Sequence, residues 1–352
     1  MSKTAVTIED GKFKINGEYT YKNREWNGIE IEGLLLNTRM VQGIFDDRNE
    51  ETVSRWAYPD TGEWDPDRNT GEFVEAMPLW KDHGVLAFTI NLQGGSPEGY
   101  SEKQPWINSA FLSDGSLDEK YMNRLEQILD RADELGMAVI LGYFYFGQDG
   151  IFPGDREIKR AVENATNWIL DKGYTNVLIE LDNECDVTEH YTHQILTPEG
   201  VHRLIKQVKE IDKNDRLLVS TSFKGGSIPT DEVMEVSDFL LVHGNGVEDP
   251  CRIEEMVKNI RNKGSYKGQP ILFNEDDHYD FDKPVNNMIM ALENGASWGF
   301  FDWGGNDYVI GYQNPPVNWK INTDRKKAFF ELAKEITGYC SHNSEIDKQK
   351  GL

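Results

Sequence analysis

Two stretches of this sequence end an apolar run on a glutamate: NVLIELDNECD, which carries Asn183 and Glu184, and PILFNEDDH, which carries Glu275. A third, SWGFFDWGG, ends on Trp303. Short, nearly continuous apolar runs rich in β-branched residues read as buried strands, so each of these residues stands where a strand opens into a loop. Two carboxyl groups brought to one site can divide the work of acid–base chemistry. One holds a proton for a departing oxygen, and the other stays ionised to attack carbon or to activate water, which is what cleavage of a glycosidic bond requires. Glu184 and Glu275 are 91 positions apart, so the chemistry depends on a fold that gathers strand ends.

The rest of the chain supplies one. Eight strand candidates follow one another: IEGLLLN, VLAFTIN, MAVILGYFY, NVLIELD, RLLVSTS, DFLLVH, PILFN and SWGFFD. Helical segments lie between them. One is expected to start at Ser116, with Glu119 completing a capping box, and to stop at Gly136. Another runs from Asp155 to Gly173. Thr197 with Pro198, and Asp249 with Pro250, read as cap and first turn of two more. A last helix starts near Thr323, and weaker candidates cover Glu72–His83 and Asp231–Val236. Strict alternation of strands and helical crossovers predicts parallel strands, and a run of this length predicts a closed (β/α)8 barrel, the TIM-barrel architecture within the α/β class. An open doubly wound sheet would be expected to carry a glycine-rich phosphate loop, and no GxGxxG or P-loop pattern is present.

One domain is therefore expected: a β-hairpin over 5–22 turning at Asp10-Gly11, a barrel over about 30–338, and a tail over 339–352. The long connections, 42–70, 93–115, 146–155 and 304–321, all follow strands, which puts them on the face where barrel active sites lie. They are rich in rings: Trp56, Tyr58, Trp64, Tyr100, Trp106, Tyr308, Tyr312 and Trp319. Such rings either stack on sugar faces, with Trp106 as one candidate, or pack the loops together.

Bulk properties narrow the partners. The formal net charge is −24, with 61 acidic against 37 basic side chains, which disfavours nucleic acid. No run approaches the ~20 apolar residues of a membrane span. The first residues, MSKTAVTIEDGK, lack the apolar core of a signal peptide, so the sequence as given reads as cytoplasmic, or as periplasmic or secreted if a leader was removed. Cys185, Cys251 and Cys340 are too few and too scattered for a disulfide framework or a zinc site.

Asn-Glu ending the fourth strand, Glu ending the seventh and Trp ending the eighth together resemble glycoside hydrolase clan A, a group of retaining (β/α)8-barrel glycosidases. The resemblance spans the barrel in organisation, although the matching motifs are short. It implies Glu184 as acid/base, Glu275 as nucleophile, Asn183 as donor to the sugar 2-hydroxyl, and Trp303 as the ring beneath the sugar at the cleaved bond. It also implies a carbohydrate substrate and neither cofactor nor metal. Where many members carry an arginine at the end of the second strand, this chain reads TINLQGG. Arg39, just after the first strand, is the replacement candidate, and His243, ending the sixth, is a further site candidate. Glu180 and Asp182 share side-chain parity with Glu184 on an ideal strand; Glu180 is expected in the packed interior. Asp46, Asp47, Asp65, Asp276, Asp277 and His278 read by default as loop or surface groups.

Two other readings compete. Glu180, Asp182, Glu184, Glu275 and Asp277 offer the oxygen ligands of a metal-dependent barrel isomerase or lyase acting on a carbohydrate or sugar acid. Its base would be Lys224, the only lysine near a strand end. A catalytically silent carbohydrate-binding barrel is the other, and it would be expected to have lost one of the two glutamates.

Overall fold

The computed structural model describes residues 2–100, 103–214, 216–305 and 308–339. Cys340, and the expected tail beyond Tyr339, lie outside the described residues. Barrel strands are β1 (Asn37–Arg39), β2 (Ala87–Asn91), β3 (Ala138–Tyr145), β4 (Val177–Asn183), β5 (Leu218–Ser220), β6 (Leu240–His243), β7 (Ile271–Glu275) and β8 (Gly299–Phe300). A continuous parallel ladder runs β5-β4-β3-β2-β1-β8. Parallel bridges from Leu272 to Ser297 and from Asp276 to Phe300 carry it on to β7, which pairs with β6. At the remaining seam Asp238 N, just before β6, donates to Val219 O of β5 at 3.0 Å. The result is the expected (β/α)8 barrel.

Each strand is followed by a helix: α1 (Pro66–Asp82), α2 (Glu119–Leu135), α3 (Asp155–Lys172), α4 (Val201–Ile211), α5 (Asp231–Val236), α6 (Cys251–Arg261), α7 (Asn287–Glu293) and α8 (Asp324–Thr337). Among the described residues no helix is long and apolar enough to cross a membrane. Gly136 and Gly173 end α2 and α3 in the left-handed conformation, as their positions predict. Three starts differ from expectation, the first being α1, which begins at Pro66 and not at Glu72. Asp118 caps α2, its side chain accepting from Tyr121 N, whereas the Ser116 hydroxyl donates to Asp114. Thr197 belongs to the turn before α4, which begins only after Gly200. Asp118→Ala should therefore cost about 1 kcal/mol of stability and lower the thermal midpoint measurably, while Ser116→Ala should leave it nearly unchanged. Equal shifts in thermal unfolding would return the cap to Ser116.

Inside the barrel, polar side chains replace part of the usual branched layers, and glycines on neighbouring strands make room for them. A Cβ on Gly142 would lie 2.3 Å from Asn91 Oδ1, and one on Gly299 would lie 2.2 Å from Asn37 Oδ1. At the other end, the N-terminal hairpin turns at Asp10-Gly11 and extends to a third strand, Glu18–Tyr19. It is joined to the barrel where Val6 N donates to Thr175 O just before β4. A second hairpin, Glu25–Trp26 with Ile29–Glu30, turns on Asn27-Gly28. The strand C-termini are thus left to the long loops.

Most rim rings pack those loops. Trp56, Tyr58, Trp106, Tyr312 and Trp319 are buried, and Trp106 meets Trp56 edge-on at 5.9 Å. Asp47, expected on the surface, is buried among them and accepts from Trp56 Nε1 (2.8 Å) and Ile107 N (2.9 Å). Asp65 caps α1, and Asp46 pairs with Arg124 at 2.6 Å.

Candidate active site

Glu184 follows the last residue of β4 and has φ +50°. A side chain other than glycine held there costs about 1–3 kcal/mol and persists only when its surroundings fix it. Ser222, beyond β5, does so: its hydroxyl accepts from Glu184 N at 2.9 Å, and its carbonyl accepts from Cys185 N at 3.1 Å. The simple alternation of β4 ends here. Glu180 and Asn183 both reach Arg39, while Asp182 meets Tyr191 instead. The Tyr191 hydroxyl lies 2.7 Å from Asp182 Oδ1 and 2.5 Å from Asn183 O. The Tyr191 hydroxyl donates toward both acceptors, and burial pushes the Asp182 carboxyl well above its ordinary range.

On the opposite wall, a register shift pairs His243 of β6 with Glu275 rather than Asn274 of β7. The three functional groups then converge. His243 Nδ1 lies 2.8 Å from Glu184 Oε1 and 3.5 Å from Glu275 Oε2. Carboxylate oxygens of the two glutamates come within 4.8 Å of one another. Arg39, at the end of β1, sets its Nε 2.6 Å from Glu275 Oε2 and donates from Nη2 to Asn183 Oδ1 at 2.7 Å. Asn245 Nδ2 donates to Glu275 Oε1. Asn183 Nδ2 is buried with no hydrogen-bond partner among the described residues, a donor left for something else to accept. Glu180 lies beneath, fully buried and bonded to Asn274.

Burial pushes the Glu275 carboxyl above its ordinary range, against the pull of Arg39 and then of His243, while the Glu184 charge adds to the rise. For His243, burial works to strip the proton, but the Glu275 charge and the Glu184 hydrogen bond outweigh it, so the imidazolium persists above its usual pH. The sign of the consequence is fixed. A carboxyl with a raised pKa stays protonated to higher pH, and only its ionised form is a nucleophile or base. The acid limb of kcat/KM should follow that ionisation, and Arg39→Met, which removes the strongest downward pull, should move the limb to higher pH. An unmoved limb would separate Arg39 from Glu275 functionally.

The glutamates border a cavity of about 190 Å³. Arg39, Tyr145 and Phe146 line it from the strand ends, and Val187 and His190 from the loop after β4. Ser96, Gly99 and Tyr100 line it from the loop after β2, with Phe301 and Gln313 after β8. Phe301, rather than Trp303, is the ring of the eighth strand end that lines the cavity. Trp303 sits at the rim, 37% exposed and 6.4 Å from the Tyr100 ring. Trp106 is not among the described residues lining the cavity, its ring being committed to the packing of the first two loops. Asn245, Tyr145, Ser96 and Gln313 were not singled out by the sequence. Of these only Asn245, a polar residue just past a strand end in VHGN, carried a usable signal. Asp276 is a structural hub, accepting from Trp298 Nε1 and Asn287 Nδ2, both at 3.0 Å. Lys224 is exposed and does not line the cavity.

No family model and no curated protein matches the sequence. Solved structures do match the fold. A mutant form of a glycoside hydrolase family 5 mannosidase from Rhizomucor miehei superposes with a TM-score of 0.55 at 12% identity, over 96% of this chain and 98% of that one. A β-glucosidase from Thermotoga maritima gives 0.55 at 12% identity, over 88% and 99%. A candidate glycoside hydrolase from Bacteroides vulgatus gives 0.56 at 15% identity over 90% of this chain, which spans only 59% of that longer one.

Proposed function

We propose that this chain is a glycosidase that cleaves an O-glycosidic bond by double displacement with retention of configuration. The observation that carries the reading is the pair Glu184 and Glu275, with oxygens within 4.8 Å across one cavity and unlike partners behind them. Carboxyl groups about 5–5.5 Å apart leave no room for a water between them and sugar, so one must attack carbon directly. Glu275 suits that role: Arg39 and Asn245 hold it in place and pull toward its anion against the burial that raises it, and it faces the cavity from β7. Glu184 suits the acid/base role. His243 Nδ1 lies 2.8 Å from Glu184 Oε1 and leaves Oε2 to carry a proton to the departing oxygen. In the second step the same carboxylate takes a proton from water, which attacks the glycosyl–Glu275 ester and frees Glu275. Asn183 Nδ2, buried and without a protein partner among the described residues, suits a sugar hydroxyl beside the reacting carbon. The fold shared with a mannosidase and a β-glucosidase supports a carbohydrate substrate.

NMR of the first-formed product should show the anomeric configuration of the substrate. An inverted first product would remove Glu275 from the nucleophile role. The metal-dependent alternative has one observation in its favour, because Glu184, His243 and Glu275 offer ligand atoms within 4.8 Å of one another. Against it, Arg39 already places a positive charge 2.6 Å from Glu275 Oε2, the oxygen nearest His243. Activity should therefore survive exhaustive chelation. Loss with EDTA and recovery with Mg²⁺ or Mn²⁺ would favour the alternative.

A further inference from the structure

We infer that the segment Ser96–Tyr100 is a built end wall that limits the cavity to a single terminal sugar unit, with Tyr100 as the residue that sets this specificity. The inference rests on the glycosidase reading and deepens it. Glu184 must reach the bridging oxygen, so the leaving group lies toward the residues that follow Glu184 in the chain, Val187 and His190. The retained sugar then lies on the other side, against Ser96, Tyr100, Phe301 and Gln313.

That side is held by contacts from two directions, with Tyr100 itself 61% exposed at the rim. The Tyr100 hydroxyl donates to Asp277 Oδ2 at 2.5 Å, tying the loop after β2 to the loop after β7, and its ring meets Phe301 edge-on at 6.1 Å. Behind it, Gln313 Nε2 donates to Gly95 O (3.1 Å) and Ser96 O (2.9 Å), and Asn314 Nδ2 donates to Pro97 O (2.7 Å). A second cavity of about 510 Å³ lies beyond the wall, lined by Pro97, Glu98, Tyr308 and Asn314 among others. Neighbouring residues of the same two segments thus face different cavities: Ser96 and Gln313 the inner one, Pro97 and Asn314 the outer one. The wall is one chain thick. At about 190 Å³ the inner cavity is small beside the roughly 300–1,000 Å³ of pockets that enclose drug-sized ligands.

The test is a series of oligosaccharides labelled at the reducing end, together with paired aryl monoglycosides and aryl disaccharide glycosides of one sugar. Wild type should shorten the label one unit at a time and release only monosaccharide. Tyr100→Ala should raise kcat/KM on the aryl disaccharide relative to the aryl monoglycoside by about tenfold or more, the scale on which a steric contact discriminates. Tyr100→Phe, which keeps the ring and loses only the latch to Asp277, should move the ratio the same way by less. Release of disaccharide or internal fragments by wild type overturns the wall while leaving the glycosidase reading intact. An unchanged ratio in both variants likewise removes Tyr100 from this role. No cleavage of any oligosaccharide or aryl glycoside by wild type overturns the glycosidase reading, and the wall with it.

Discussion

Glu275→Ala should lose about 10⁴–10⁶-fold in turnover on every substrate, with good and poor leaving groups alike. The proposed first step forms a bond from Glu275 to the anomeric carbon, and no improvement of the leaving group restores a missing nucleophile. The alanine also opens space beside that carbon. Azide or formate can enter it and attack once, from the face that Glu275 occupied. With an activated aryl glycoside, azide should partly restore turnover and give a glycosyl azide of inverted configuration. The variant leaves Arg39 with Glu180 at 3.9 Å as its nearest carboxylate and with Asn183. Breaking a buried pair can cost about 3–5 kcal/mol, so circular dichroism must first show that the barrel is intact. Glu275→Gln keeps the volume and gives Arg39 an amide oxygen, and it should be equally inactive while melting closer to wild type. Residual activity within about tenfold of wild type in a folded Glu275→Gln would remove Glu275 from the chemistry.

The parts of this architecture that were legible in the sequence are those with a repeating physical cause. A strand covered on both faces must be continuously apolar, and all eight strand candidates overlap a barrel strand, although IEGLLLN shares only Asn37 with β1, which is itself polar. Glycines that end helices must tolerate positive φ, which made the ends of α2 and α3 plain. Helix starts were less plain, because several polar residues before α2 are chemically able to cap it and only tertiary contacts select Asp118. The hairpin turn at Asn27-Gly28 carried a strong local signal, yet the strands beside it are two residues each, too short to show alternation.

At the site, the strand-end glutamates were readable because a barrel gathers strand C-termini. Arg39 was a candidate only through the resemblance, as a replacement for the arginine that many members carry at the end of the second strand, and it ends the first strand rather than following it. Which ring faces the sugar was not readable. Phe301 and Trp303 are two positions apart after a strand whose regular pairing ends at Phe300, and beyond that point parity gives no direction. Nor could parity anticipate that Asn183 turns toward Arg39 while Asp182 turns away, since the left-handed backbone at Glu184 depends on Ser222 from another strand. Trp106 illustrates the general difficulty of loop aromatics: the same ring suits a sugar face or the underside of a loop, and the choice rests on contacts that no sequence period encodes.

Glu184→Ala should behave quite differently from the Glu275 variants. Loss of the acid leaves the nucleophile in place, so the first step should depend steeply on how much protonation the leaving group needs. General acid–base assistance is worth about 10²–10⁴-fold, and that range should separate natural oligosaccharides from dinitrophenyl glycosides, which depart without a proton. On the activated substrate a fast first turnover should be followed by a slow phase, because the glycosyl–Glu275 ester forms and no base remains to activate water. Intact-protein mass spectrometry should then find the chain heavier by one glycosyl unit, with the label on Glu275 after digestion. Azide needs no base and should speed the slow phase, giving a glycosyl azide of retained configuration, opposite to the product expected with Glu275→Ala. His243 sharpens the assignment, because its Nδ1 lies 2.8 Å from Glu184 and 3.5 Å from Glu275. If His243 itself delivered the proton, Glu184→Ala would retain leaving-group-independent turnover and His243→Ala would take over the steep dependence. Equal losses on activated and natural substrates, with no covalent intermediate and no effect of azide, would show that the acid/base is not Glu184.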